Sequence, residues 1–230
     1  MRALIVAAGA PSDRAALDRT WPGWSAGVGL VVAADGGADL AGRLGLEVDL
    51  AVGDFDSIGP SGLDGLRAAG VPVEVAPTAK NESDTELAIR AAVARGADAL
   101  SIVGGLGGRP DHLLANVGLL ALMELSGRPI ELIDDSTRVS LLSGPASREF
   151  TGRPGDLVSL LPLGPGVEGV TTTGLAWALD HEPLPVGPAR GLSNVRIGAV
   201  ATVGLRAGLL VVVESVAPSG PAGLDPIDVR

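Results

Sequence analysis

Over roughly the first 143 positions, short apolar runs alternate with stretches whose apolar residues recur every three or four positions. The runs are "ALIVAA" (3–8), "VGLVVAA" (28–34), "DLAVG" (49–53), "VPVEVA" (71–76), "ALSIVGG" (99–105) and "PIELID" (129–134). The stretches between them with helical spacing are 36–45, 61–69, 83–95 and 110–126. In the third, Leu87, Ala88, Ala91 and Ala92 share a face; in the fourth, Leu113, Leu114, Val117, Leu120 and Ala121 do. Near-continuous apolar strands separated by helices predict a mostly parallel sheet covered on both faces, that is, an α/β N-terminal domain over 1–143.

The pattern then changes. "DLVSLLPL", "GVEGVTTTGLAWAL", "VRIGAVATVGL" and "GLLVVVESV" are strand-like and bounded by Gly and Pro, with no helical period among them. They predict a C-terminal all-β sandwich domain over 144–216, with the boundary near "LLSGPASREF". The Pro/Gly-rich end, 217–230, reads as a loose tail.

Composition narrows the classes. The chain has 230 residues, no Cys and a formal net charge of −10. That charge argues against a nucleic-acid face, and an aromatic content of 2% argues against base-stacking platforms. Without cysteine there is no disulfide framework and no thiolate metal site. No apolar run reaches the length of a transmembrane helix, so no membrane partner is expected. The apolar start "MRALIVAAGAPSD" is too short for a signal peptide and runs into a turn, so a cytoplasmic home is expected.

The candidate chemistry sits at the ends of the predicted strands. Asp35 follows the second, Asp54 and Asp56 follow the third, Asp84 opens the helix after the fourth, and Asp111 follows the fifth. Ligands of open α/β sheets bind outside the carboxyl ends of the strands, so topology predicts that these five acids share one edge. A single Asp there reads as a cap or turn residue. Five together call for a cation, and hard oxygen ligands favour Mg²⁺, which commonly accompanies phosphates. On this reading Asp54 and Asp56 hold the metal, with Asp35 or Asp111 nearby.

The segment "GGLGGRPDH" supplies a phosphate cradle. Gly107 and Gly108, with Gly104 and Gly105, allow backbone N–H groups to approach an anion at a helix start. Arg109 adds a planar permanent charge. Lys80 is the single lysine beside 16 arginines, and it immediately precedes the acidic helix start. A compact ammonium suits a phosphate as a point charge. Ser83 and Glu86 form a capping box, which leaves Asp84 free for a ligand. His112, at a helix start, is read as structural, and His181 is given no role.

Taken in order, "ADGGA", "VDLAVGDFDSI", "KNESDTELAI", "GGLGGRPDHLLAN", "SLLPL", "GVTTTGLAWAL" and "RGLSN" resemble the motifs of thiamine pyrophosphokinases, from about residue 3 to about residue 215. The resemblance implies a Rossmann-like α/β domain joined to a β-sandwich, a homodimer, and transfer of diphosphate from ATP to the hydroxyethyl oxygen of thiamine, with Mg²⁺ required and AMP released. It implies metal and phosphate roles for Asp35, Asp54, Asp56, Asp84, Arg109 and Asp111. It implies thiamine-site roles for Trp177, Ser193 and Asn194, in a pocket at the dimer interface. Many bacterial members carry an Asp where this chain has Asn81, so Asn81 is given no direct metal role. A strand Trp usually packs in a core. In a chain this poor in aromatics, the resemblance favours Trp177 as a face for the flat thiamine cation. Two alternatives are a diphosphokinase for another hydroxymethylated heterocycle, such as a pterin, and a non-catalytic nucleotide or thiamine sensor. Trp177 and "GLSN" favour thiamine, and retention of all five acids favours an enzyme.

Overall fold

The computed structural model describes residues 1–10 and 12–217; the expected loose tail therefore falls, apart from Ala217, outside the described residues. The first part alternates strand and helix: β1 (Arg2–Val6), α1 (Arg14–Thr20), β2 (Val28–Ala34), α2 (Gly37–Arg43), β3 (Leu50–Gly53), α3 (Gly59–Ala68), β4 (Val73–Val75), α4 (Asp84–Ala94), β5 (Ala99–Val103), α5 (Pro110–Leu119) and β6 (Ile130–Ile133). Strands alone follow: β7 (Thr137–Ser143), β8 (Ala146–Thr151), β9 (Leu157–Thr173), β10 (Glu182–Leu184), β11 (Asn194–Val195), β12 (Val200–Leu205) and β13 (Ala207–Ser215). No helix among the described residues is long and apolar enough to cross a membrane.

Strands β1–β6 pair in the order β4-β3-β2-β1-β5-β6, every neighbour parallel. Apart from the exposed edge strand β4, their residues are buried almost without interruption, as strands covered on both faces must be. One face packs Ile5, Val32 and Ile102 against α4 and α5 residues such as Ile89 and Leu119. The other packs Leu4, Val6 and Val103 against Leu17 of α1, Trp24 and Leu40 of α2.

The sheet does not stop at β6. Strand β7 joins it antiparallel, and the path continues β7-β13-β9-β12-β8. Only Gly144 and Pro145 separate β7 from β8, yet these two strands stand at opposite ends of that path. The antiparallel portion must therefore curl back on itself. Its interior is a second apolar cluster, including Phe150, Val158, Leu160, Val170, Val203 and Leu210, drawn from strands and the 175–184 segment.

Several expectations change in detail. The boundary near "LLSGPASREF" is the turn between β7 and β8, and the two expected portions share one continuous mixed sheet. "DLVSLLPL" and the start of "GVEGVTTTGLAWAL" form a single long strand, β9, which pairs β13 along its first part and β12 at its end. Trp177 lies beyond β9, outside any strand. Helix α1 was not visible in the pattern, because Leu17 is its only buried residue.

Candidate active site

The strand order decides which acids meet. β2 and β3 are neighbours, paired Ala34 to Val52, so Asp35 and Asp54 leave adjacent strand ends. Asp35 N–H donates to Val52 O at 2.9 Å. A Cβ at Gly53 would sit 3.1–3.2 Å from the Asp35 backbone and Cβ, on a backbone with φ of 156°, so glycine is what lets the two strand ends close together. Helix α4 packs over β2 and β3 and brings Asp84, its first residue, above them. One carboxylate oxygen each from Asp35, Asp54 and Asp84 lies within 4.8 Å of the others.

Local backbone holds this arrangement. Asp35 and Phe55 both adopt the left-handed region, with φ of 48° and 58°. Such conformations cost about 1–3 kcal/mol each outside glycine and persist where packing imposes them. Phe55 supplies that packing: it is buried against Ala33 and Ala51, between a half-buried Asp54 and an exposed Asp56. Ser83 caps α4 by accepting from Glu86 N–H at 3.2 Å. The expected capping box is only half formed, because the Glu86 carboxylate accepts from Arg90 instead.

Lys80 lies among the acids. Its ammonium is 2.6 Å from Asp54 Oδ2 and 3.0 Å from Asp84 Oδ1, with side chains largely shielded from water. The Asp84 contact is off the line a hydrogen bond needs, and that oxygen has no other partner; Asp35 Oδ1, buried, has none at all. The Lys80 hydrogen bond holds the Asp54 carboxyl below its ordinary range. The charge of Asp54, with Asp35 and Asp84 behind it, pushes Asp56 up. Burial works against the Lys80 ammonium, but its contacts with Asp54 and Asp84 outweigh it and raise the group.

The five predicted acids do not gather equally. Asp56 stands beside the group, its N–H donating to Asp54 Oδ1 at 3.3 Å, and is exposed. Asp111 follows β5, two strands from β2, and lies outside the group of three. Its carboxylate pairs with Arg109 at 2.6 and 3.1 Å, and that guanidinium takes it down to about 2. Both are exposed, at the start of α5 behind Gly107 and Gly108, whose φ values of 83° and 71° favour glycine. His112 is exposed and contributes a backbone bond to Asp111.

The other predicted residues form a second group. Asn194 is buried, while Trp177 is 43% exposed. Asn194 Nδ2 donates to Trp177 O at 2.6 Å, and its Oδ1 accepts from Trp177 N–H at 3.0 Å and Val195 N–H at 2.9 Å. Ser193 is exposed, with φ of 56°, and its N–H donates to Ser159 Oγ. Two residues on, Arg196 is fully buried and bonds Phe150 O and Glu214. Nothing in "SNVRIG" flagged that arginine as buried.

Two family descriptions match this chain and divide it in the same order as the two groups. "Thiamin pyrophosphokinase, catalytic domain" matches residues 24–132, and "Thiamin pyrophosphokinase, vitamin B1 binding domain" matches residues 148–210. A crystal structure of a thiamin pyrophosphokinase family protein from Enterococcus faecalis is 30% identical with a TM-score of 0.80, covering 94% of this chain and all of the other.

The chain belongs to the thiamine pyrophosphokinase family.

A thiamine pyrophosphokinase of Bacillus subtilis is 27% identical over 165 residues, 72% of this chain and 77% of the relative. The yeast thiamin pyrophosphokinase structure, at 16% identity, shares the fold, with a TM-score of 0.75 over 94% of this chain and 86% of its own. The chain is an enzyme of this class, a thiamine diphosphokinase.

Proposed function

We propose that this thiamine pyrophosphokinase transfers diphosphate from ATP to the hydroxyethyl oxygen of thiamine at a magnesium site built on Asp35, Asp54 and Asp84. The observation that carries the site is the convergence of three carboxylates within 4.8 Å, one of them with a buried oxygen that has no partner. Three hard oxygen donors fit Mg²⁺. When bound, the ion would neutralise charge on the phosphate oxygens. Asp56 tunes the field from the rim. Arg109, behind Gly107 and Gly108, receives the phosphate chain, and Asp111 holds its guanidinium in place meanwhile. Positioning and electrostatics are the protein's task, since phosphoryl transfer offers it little covalent chemistry.

Thiamine is taken by the second group. Trp177 offers an exposed face to a flat cation, worth about 0.5–2 kcal/mol. Ser193 lies at its side, and Asn194 fixes the Trp177 backbone. On the sheet, β9 stands six steps from β2, roughly 29 Å along the sheet at ~4.8 Å per step. That separation supports a homodimer in which the thiamine group of one protomer faces the acids of its partner. The protomer then divides near residue 143 into a nucleotide part and a curled, sandwich-like thiamine part, and the enzyme works in the cytoplasm. The test is turnover with ATP, Mg²⁺ and thiamine, followed as AMP and thiamine diphosphate. Formation of both only with Mg²⁺ supports the reading; turnover unaffected by chelation removes the metal.

A further inference from the structure

We propose that the Lys80 ammonium is a resident cation in the seat of the divalent ion, and that the two exchange when substrate arrives. The proposal rests on the magnesium reading above. Lys80 Nζ lies 2.6 Å from Asp54 Oδ2 and 3.0 Å from Asp84 Oδ1, so it uses two of the three converging carboxylates. The third, Asp35, keeps a buried oxygen without a partner. The ammonium is thus an incomplete occupant: it neutralises part of the charge and leaves one donor unused. A divalent ion at about 2.0–2.1 Å from these oxygens would need the same lone pairs, and the two cations would repel.

Residue type fits an occupant that leaves. In a chain with 16 arginines, this position alone carries lysine. Arginine would lock a carboxylate with a planar fork, whereas lysine is a point charge on a flexible four-carbon stem. It also stands outside regular structure, four residues before Asp84, so its release unwinds no helix. A freed ammonium needs an anion, and the phosphate chain of ATP supplies one. Metal alone must displace Lys80 without compensation, while metal with nucleotide gives the ammonium a new partner. Lys80 therefore couples metal and nucleotide binding, and the coupling is reciprocal.

One lysine makes the test direct. Selective ¹³C-lysine labelling of the wild-type protein gives a single side-chain Cε signal, from Lys80. It is expected to move and sharpen when Mg²⁺ and a non-hydrolysable ATP analogue are added together. Separately, Mn²⁺ binding without nucleotide is measured by electron paramagnetic resonance for wild type, Lys80→Met and Lys80→Gln. Both variants are expected to bind Mn²⁺ at least ten-fold tighter than wild type, and the analogue should tighten Mn²⁺ binding in wild type far more than in the variants. Metal binding with a stationary Lys80 signal, or variants that bind Mn²⁺ no tighter than wild type, would overturn the exchange. The absence of Mn²⁺ binding in every protein, with or without the analogue, would instead overturn the magnesium site itself.

Discussion

Asn194 holds Trp177 by both ends of its peptide unit: its amide donates to Trp177 O at 2.6 Å and accepts from Trp177 N–H at 3.0 Å. A side chain thereby replaces a neighbouring strand for a residue that has none. With a third bond to Val195 N–H, three of the amide's four bonding sites are used internally, so Asn194 fixes the backbone of Trp177.

Asn194→Ala should therefore act through Trp177. It removes the partner of three backbone groups, Trp177 N–H, Trp177 C=O and Val195 N–H, at about 1–3 kcal/mol for each that is buried. The expected result is a lower melting temperature and a thiamine KM raised at least ten-fold, with the ATP KM little changed. Equal effects on both substrates would show that Asn194 serves the fold generally.

Asp56 stands exposed beside the three converging acids. Its carboxyl is pushed up by the charge of Asp54, so folding makes its ionisation less favourable. A raised carboxyl destabilises above its folded value, and the penalty disappears as pH falls through that value. Asp56→Asn should then raise the melting temperature of the metal-free protein at pH 7. Its advantage over wild type should shrink as pH falls into the carboxylate range. A gap that is constant with pH would mean that the charge is irrelevant. Asp54 has the opposite sign: its lowered value adds stability above pH 3.8 that is lost on further acidification.

Much of this architecture was legible in the chain. Fully buried parallel strands appear as unbroken apolar runs, so β1–β6 were visible, and with them the edge where the acids gather. The order of strands was not visible. "GDFDSI" and "GGRPDH" look equally acidic in sequence, but β3 adjoins β2 while β5 lies on the far side of β1. That order joins Asp54 to Asp35 and leaves Asp111 to Arg109. Lys80 could be singled out by its rarity, but not placed: four residues before Asp84, it reads equally as a phosphate ligand and as the partner it proves to be. Strands β7 and β8 escaped because "TRVSLLSGPASREF" mixes polar and apolar positions in strands that are only partly buried.

Arg196 ties the Ser193–Asn194 turn to the rest of the sheet. It donates to Phe150 O at 2.6 Å and Glu214 at 2.8 Å, and Glu214 also holds Arg138, whose guanidinium lies 4.7 Å from the Trp21 ring. Breaking a buried ion pair from one side costs about 3–5 kcal/mol. Arg196→Met should lower the melting temperature by roughly 6–20 °C in a chain of this size. Adding Glu214→Gln should deepen the loss, since Arg138 would then lose its carboxylate partner as well. A single variant that melts like wild type would mean that Arg138 alone satisfies Glu214.

The composite site makes a prediction about mixtures. Asp54→Asn removes an acid from the nucleotide end, after β3, and Trp177→Ala removes the thiamine face, which follows β9, seven strand-steps away along the sheet. Each homodimer should be inactive, or nearly so, with both of its sites defective. A heterodimer would combine one protomer's intact acids with its partner's intact Trp177 at one site, and place both lesions at the other. Free exchange makes half of the dimers heterodimers, so one site in four is whole and an equimolar mixture should reach about a quarter of wild-type activity. Subunit exchange must be confirmed by native mass spectrometry on the same mixture. Heterodimers without recovered activity would show that each site is built within one chain, and the sheet would then have to curl far enough to carry Trp177 back to Asp54.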